Sequence, residues 1–403
     1  MNVNSLLDTW AVSGTDYDEF AELIRDIDTS TEIISAETQD LTLYAVNGRS
    51  DEAVELLQYN EAQTLRREVP GQTRIRHNNL KSIGVTEEFL QEIMKSRLLV
   101  KADGKVLFTS CGLSRDLGAR AQLTGNGLNN PTPERDAFLM HRYTEASCGV
   151  NIVIRSNTSD GGRVRKVFAM PSSGYRYIPQ DTLLQIAEYF RDEMRGADTK
   201  AWFVTHSLSQ IWMQFSAQAK DIVDTYKLPD TMIPGILLET SDTGDCALKV
   251  IPTWKRASGR TYVRAGEFKR EHKGLFNMED VKREIKETVF AVYTKLPQRL
   301  CDLLMIDIPN AEMFLETLFE DSKIHSILGK RRTKDLLEAL QGEISPAASY
   351  TAYDIAMRMM DLPAIFEEDK WISEQMESFV YKIPFMDFNK MLKKSATPIV
   401  LTA

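Results

Sequence analysis

Residues 149–155 read GVNIVIR and residues 163–170 read RVRKVFAM, and between them stands SNTSDGG (156–162). Two β-branched runs joined by a polar, glycine-containing turn predict a hairpin. The pattern recurs downstream. AWFVTHSLSQIWMQFSA (201–217) folds back on itself around Ser207 to Ser209, and GILLET (235–240) and CALKVIPTW (246–254) flank the turn SDTGD. Three hairpin signals between Asn151 and Trp254 predict an antiparallel sheet. QDTLLQIAEYFRDEM (180–194) interrupts them with Leu183, Ile186 and Phe190 at helical spacing, so a helix packs on that sheet.

Outward from this centre the pattern changes. Toward the N-terminus, DYDEFAELIRDI (16–27) puts Phe20, Leu23, Ile24 and Ile27 on one helical face, TEIISAET and DLTLYAVNG read as short strands, and DEAVELLQ (51–58) reads as a helix. Thr86 caps a helix carrying Phe89, Ile93 and Met94, and LLVKADGKVLFTS (98–110) turns through Asp103-Gly104 into a hairpin. GNGLNNPTP (125–133) is the clearest loop, with a helix start at Thr132 to Glu134; its GxG lacks the third glycine and leading strand of a dinucleotide fingerprint. Toward the C-terminus, FNMEDVKREIKETVFAVYTKL (276–296) is a helix capped by Asn277, with Glu279 and Asp280 at its positive end, running until Pro297. AEMFLETLFED, TKDLLEALQG, SYTAYDIAMRMM and EEDKWISEQMESFVYK continue as helices, with Gly342 a stop signal. The reading is α+β: a mixed region over 1–109, a central antiparallel-sheet domain over 110–296 and a helical region over 297–403.

The 403 residues, 43% hydrophobic and 27% charged, are enough for two or three domains with a real core, and exclude disordered and disulfide-stapled classes. No stretch approaches the ~18 uncharged apolar residues of a spanning helix. MNVNSLLDTWAVSG lacks the basic and apolar regions of a signal peptide, so the expectation is a cytoplasmic protein with no membrane partner. Cys111, Cys148, Cys246 and Cys301 form no CxxC pair and read as reduced packing thiols. His77, His141, His206, His272 and His325 never occur as HxH, HxxxH or HExxH, no calcium loop or GxSxG elbow is present, and neither a metal nor another cofactor is expected.

The net charge is −9, yet it is unevenly spread. Residues 64–81 carry five basic groups against Glu68, residues 155–178 five against Asp160, and residues 253–273 seven against Glu267 and Glu271. In the last two, aromatics interleave with the charges. Phe168, Tyr175 and Tyr177 accompany Arg163, Arg165, Lys166 and Arg176; Trp254, Tyr262 and Phe268 accompany Lys255, Arg256, Arg260, Arg264, Lys269 and Arg270, with His272 closing the segment. Single strands are held by this combination, cations on phosphates and rings on bases. Alternation in RVRKV puts Arg163 and Arg165 on one face and Val164 on the other. Arg163, Arg165, Arg264 and Arg270 are thereby expected on phosphate and Tyr175, Tyr177 and Trp254 on bases. The structural alternative places those aromatics in the core and pairs those arginines with acidic helices.

IVIRSNTSDGGRVRKVFAMPSSGYRYIPQDTLL (152–184), GILLETSDTGDCALKVIPTWKR (235–256), REHKG (270–274) and SYTAYDIAMRMMDLP (349–363) together resemble the phage/plasmid-like proteins of bacterial mobile elements, a domain of unknown function. The resemblance spans about residues 110–360. One element departs from it: TWKRASGRTYVR (253–264) has neither the cysteine nor the asparagine of the family's Cys-x-Asn-Gly-like element. The resemblance implies a mobile-element origin in a bacterial host and a role near DNA processing or host defence, without supplying a reaction. The leading expectation is a non-catalytic nucleic-acid-binding protein whose partner is single-stranded DNA or RNA. Two rivals stand beside it: a structural protein that forms homo-oligomers or blocks a host protein, and an enzyme whose site is assembled from distant residues.

Overall fold

The structure is a computed structural model that describes residues 1–50, 53–58, 73–76, 84–96, 98–102, 105–109, 148–158, 164–259, 262–274, 276–345 and 348–396. GNGLNNPTP and the helix start at Thr132, like Cys111, Arg163 and Arg260, lie outside the described residues.

Two sheets organise the chain. Strand β1 (Ala11–Gly14) precedes helix α1 (Tyr17–Ser30), which Asp16 caps by accepting from the Asp18 and Glu19 amides and which buries Phe20, Ile24 and Ile27. Then come β2 (Thr31–Glu37), β3 (Thr42–Ser50), β4 (Ala53–Gln58), β5 (Thr73–Arg76), α2 (Glu87–Ser96), β6 (Leu98–Ala102), β7 (Lys105–Thr109), β8 (Gly149–Ser156) and β9 (Arg165–Ala169). Strands β2 to β9 form an eight-stranded sheet in the order β2-β8-β9-β7-β6-β3-β4-β5. Its pairs are antiparallel apart from β7 with β9. The hairpins expected at β6/β7 and β8/β9 are present. DEAVELLQ is a correction: residues 53–58 are strand β4, paired on both sides by β3 and β5. Its helix-favouring Glu and Leu residues are overridden by that double pairing, since propensity is only a weak prior.

Helix α3 (Asp181–Glu193) leads into the second sheet, built from β10 (Ala197–Thr205), β11 (Ser209–Phe215), β12 (Met232–Thr240), β13 (Leu248–Arg256), β14 (Tyr262–Arg264) and β15 (Phe268–Arg270), with α4 (Ser216–Tyr226) between β11 and β12. This sheet is wholly antiparallel in the order β1-β10-β11-β12-β13-β14, and β15 also pairs with β13. It contains the other two expected hairpins, β10/β11 and β12/β13. β1 joins it at β10, as β2 joins the first sheet at β8, so each sheet is closed by a strand from the start of the chain.

Helix α5 (Met278–Leu303) lies on the second sheet, its Asn277 cap accepting from the Glu279 amide. It does not end at Pro297 as expected. A proline inside a helix forfeits one backbone hydrogen bond and costs ~3 kcal/mol, but Leu296, Pro297, Leu300 and Leu303 are all buried, and that continuous apolar stripe carries the helix on. Phe190 of α3 stacks between Phe290 and Phe215 at 5.3 and 6.0 Å, and Tyr293 donates to the Gly235 carbonyl at 2.7 Å. Beyond α5 come β16 (Asp307–Ile308), α6 (Ala311–Ser322), α7 (His325–Gly342), β17 (Tyr350–Thr351), α8 (Ala352–Met360), α9 (Lys370–Val380) and α10 (Phe388–Ser395). Thr351 and Asp354 form a capping box on α8, and its Met357, Met359 and Met360 are core residues. The α+β class holds, with helices covering one face of the second sheet. Among the described residues no helix is long and apolar enough to cross a membrane.

Candidate functional site

In a strand, alternate side chains face opposite ways. Trp202, Val204, Ile211, Met213, Phe215, Ile236, Leu238, Leu248, Val250 and Trp254 are buried together in the core. Their neighbours along each strand therefore share the opposite face of the second sheet. Register sets them in rows, because directly opposed residues of antiparallel strands project to the same side. One row runs Phe203, Gln210, Glu239, Lys249 and Lys269; the next runs Ala201, Trp212, Leu237 and Ile251; a third holds Ile233, Lys255 and Tyr262.

This outer face is mixed aromatic, aliphatic and cationic. Phe203 is 40% exposed, Lys269 is exposed, and Trp212, Leu237, Lys249, Lys255 and Tyr262 are half-buried. Trp212 and Tyr262 are in ring contact, Gln214 donates to the Tyr262 hydroxyl at 2.9 Å, and the Lys255 ammonium sits 5.3 Å from the Tyr262 ring centre. Glu239 accepts from Gln210 at 2.6 Å and from Lys249 at 3.2 Å. Burial works to lower the Lys249 pKa, but the Glu239 carboxylate outweighs it and the net shift is upward, so Lys249 stays charged. Burial raises the Tyr262 hydroxyl as well, which keeps that ring neutral.

The residues singled out from the sequence are dispersed. Lys255 and Lys269 lie on the outer face just described. Lys166 is 1% exposed, its ammonium held by Asp8 at 2.6 Å, by the Leu6 carbonyl at 2.6 Å and by Glu92, which leaves no room for a phosphate. Arg165 approaches Glu32 at 3.7 Å. Val164, Lys166 and Phe168 are buried on one side, as the alternation places Val164, but Val167 is buried on the side of Arg165 as well, so the described residues of β9 offer no basic face. Arg256 is bound by Asp230 and by Asp361 at 2.7 Å, Arg264 by Glu377 at 2.6 Å and Glu374 at 3.6 Å, and Arg270 lies 3.9 Å from Glu284. Trp254 is fully buried against Tyr293, and no base can reach its ring.

Tyr175, Arg176, Tyr177 and His272 gather elsewhere, where the two sheets meet. Tyr175 stacks on His272 at 4.8 Å and donates to the Asp242 carbonyl at 3.2 Å. The His272 ring nitrogens lie 3.1 Å from the Arg176 and Cys246 carbonyls, and desolvation lowers its pKa. The Arg176 side chain is exposed. Tyr177 donates to Asp28, which also accepts from the Gln180 and Asp181 amides at 2.8 and 2.6 Å and so caps α3 from α1. Burial pushes the Asp28 carboxyl up despite these three donors. At the centre of this junction Arg155 of β8, 1% exposed, grips the wholly buried Asp242 through both carboxylate oxygens and donates to the His206 carbonyl at 2.8 Å. These contacts fasten one sheet to the other.

Phe203, Trp212 and Leu237 were not singled out from the sequence, although the signal was there: in AWFVT and QIWMQF the residues either side of Phe203 and Trp212 are strongly apolar, and period-two alternation sends the two rings to the opposite face. Among the described residues no three His, Cys, Asp or Glu side chains gather as a metal site requires. Scans against protein-family models, curated proteins and solved structures return no match to this chain.

Proposed function

We propose that the chain is a non-catalytic nucleic-acid-binding protein of a phage or plasmid, preferring single strands, and that it lays the strand across the outer face of the second sheet. The observation that carries this reading is the placement of Phe203, Trp212 and Tyr262 on one sheet face beside Lys249, Lys255 and Lys269. Flat rings on a rigid sheet offer stacking surfaces to unpaired bases, and lysines between them offer charge to the connecting phosphates. Of the arginines first expected on phosphate, Arg264 is held by Glu377 and Glu374, and Arg165 and Arg270 lie 3.7 and 3.9 Å from Glu32 and Glu284. On the sheet face a phosphate would meet Lys255 directly and would have to displace Glu239 from Lys249 and Glu271 from Lys269.

The test is an anisotropy titration of a labelled single-stranded oligonucleotide at low salt. Phe203→Ala should weaken binding by the stacking energy of one base, ~1 to 3 kcal/mol, and leave the salt dependence unchanged. Lys255→Gln should weaken it and flatten the plot of log K against log salt by about 0.7. Absence of any affinity at low salt sinks the reading.

A second reading, a protein that captures a host protein, has its own observation. Trp371 and Ile365 are 64% and 60% exposed beside the exposed Glu367, Glu368 and Asp369, an apolar anchor in an acidic surround that fits a basic protein surface. A basic amphipathic peptide that blue-shifts tryptophan emission in the native chain and not in Trp371→Phe would favour it.

A further inference from the structure

The densest run of positive charge among the described residues lies outside the basic segments discussed so far. Residues 323–334, KIHSILGKRRTK, hold Lys323, Lys330, Arg331, Arg332 and Lys334 with His325 and no acidic residue. All six of these side chains are exposed. Lys334 reaches Glu338 at 3.5 Å. Among the described residues Lys323, Lys330, Arg331 and Arg332 have no carboxylate partner, in contrast to Arg155, Arg256 and Arg264.

Local backbone geometry concentrates them. Gly329 takes φ 75° and ψ 162°, a conformation open to glycine, and breaks α7 into two pieces. The second piece restarts at Lys330, and Thr333 donates back to the Gly329 carbonyl at 2.7 Å. Lys330, Arg331 and Arg332 thus occupy the first turn of a helical segment, its positive end, where each cation is unfavourable by ~0.3 to 1 kcal/mol. Stability does not account for three in succession. The basic end of α10 adjoins them, since Lys394 bridges to Glu320 and Asp321 at the close of α6, directly before Lys323.

We propose that residues 323–334 bind the phosphate backbone of a nucleic acid, with the Arg331 and Arg332 guanidinium forks taking phosphate oxygens in pairs. For the class of partner this rests on the nucleic-acid reading above; it adds a second contact on the helical region, distinct from the sheet face. An anionic membrane fits less well. Ile324, Leu328, Leu336 and Leu340 are all turned into the core, so the segment keeps no apolar face with which to enter a bilayer.

The test uses the full chain with Lys330→Gln, Arg331→Gln and Arg332→Gln combined, titrated with a labelled single-stranded oligonucleotide between 50 and 200 mM salt. Three lost contacts at ~0.7 each flatten the slope by about 2, so the ratio of variant to native Kd should grow about 20-fold as salt falls across that range. Phe203→Ala in the same titration should keep the native slope. The thermal midpoint of the triple variant should hold or rise, showing that the fold is intact. A native protein that binds while the triple variant keeps its slope overturns this inference alone; a native protein that binds no oligonucleotide overturns it together with the reading it rests on. Loss of binding to phosphatidylserine vesicles in the variant, with oligonucleotide binding untouched, would assign the patch to membranes instead.

Discussion

Arg155 and Arg331 carry the same guanidinium in opposite surroundings. Arg155 is sealed between the two sheets and clamped on Asp242, 87 residues away; Arg331 stands exposed at the restart of a helix. Lys166 and Lys330 repeat the contrast, the first enclosed by Asp8 and Glu92, the second exposed. A run of basic residues in sequence therefore does not say whether its charge is spent inside the fold or offered outside. Distant carboxylates decide that, and only the fold brings them in.

The sharpest way to break the contrast is to remove one member of the seam. Arg155→Ala or Asp242→Ala leaves a buried charge without its partner and should cost ~3 to 5 kcal/mol in denaturant unfolding, whereas replacing both by apolar residues of similar size should recover much of that loss. A pair that could be broken singly at less than about 1 kcal/mol would mean that the seam is wet. Among tryptophans the same logic separates core from surface: Trp254→Ala opens a cavity against Tyr293 and should cost ~3 to 5 kcal/mol, while Trp371→Ala should stay within about 0.5 kcal/mol of native. Arg331→Gln is expected to leave stability unchanged or raise it by up to ~1 kcal/mol, by relieving the helix end.

The smallest expected effect is on pH. Desolvation lowers the folded pKa of both His206 and His272 from the ordinary 6.5. Groups facing His272 are the stacked Tyr175, the carbonyls of Arg176 and Cys246, and more distantly Asp242; Asp8, Lys166, Arg155 and Asp245 act on His206. Below 6.5 the unfolded chain takes up protons that the folded histidines resist. Their contribution to stability is complete above 6.5 and declines as pH falls through the folded values. Thermal midpoints at pH 7.5 and 5.5 should differ in that direction, and His272→Gln should narrow the difference.

Much of the fold was legible because it rests on local periodicity. The hairpins at β8/β9, β10/β11 and β12/β13 and the caps at Thr86 and Asn277 each follow from a few neighbouring residues. β4 was misread because its strand state comes from partners on both sides, and the end of α5 because Leu300 and Leu303 outweigh Pro297. The site was less legible. Trp254 and Tyr262 fall in the same basic segment, yet one is core and the other surface. Alternation along β13 from Leu248 marks Trp254 as core, but Tyr262 stands on the next strand, where Val263 takes the inward place, and nothing local to the sequence fixes that change of phase. Lys166 could not be distinguished from Lys255 at all, since Asp8 and Glu92 are remote in sequence. The 323–334 patch escaped notice because it falls between two segments of clear helical periodicity and carries no aromatic among its charges.

The central claim is that bases stack on the outer face of the second sheet, and photocrosslinking tests it most directly. A single-stranded oligonucleotide bearing 5-iodouracil, irradiated in complex with the native chain and digested for mass spectrometry, should form adducts at Phe203, Trp212 or Tyr262, with the equally aromatic Trp371 unmodified. Adducts confined to Tyr175, Tyr177 or Trp371, or none under conditions where binding is saturated, would contradict the account.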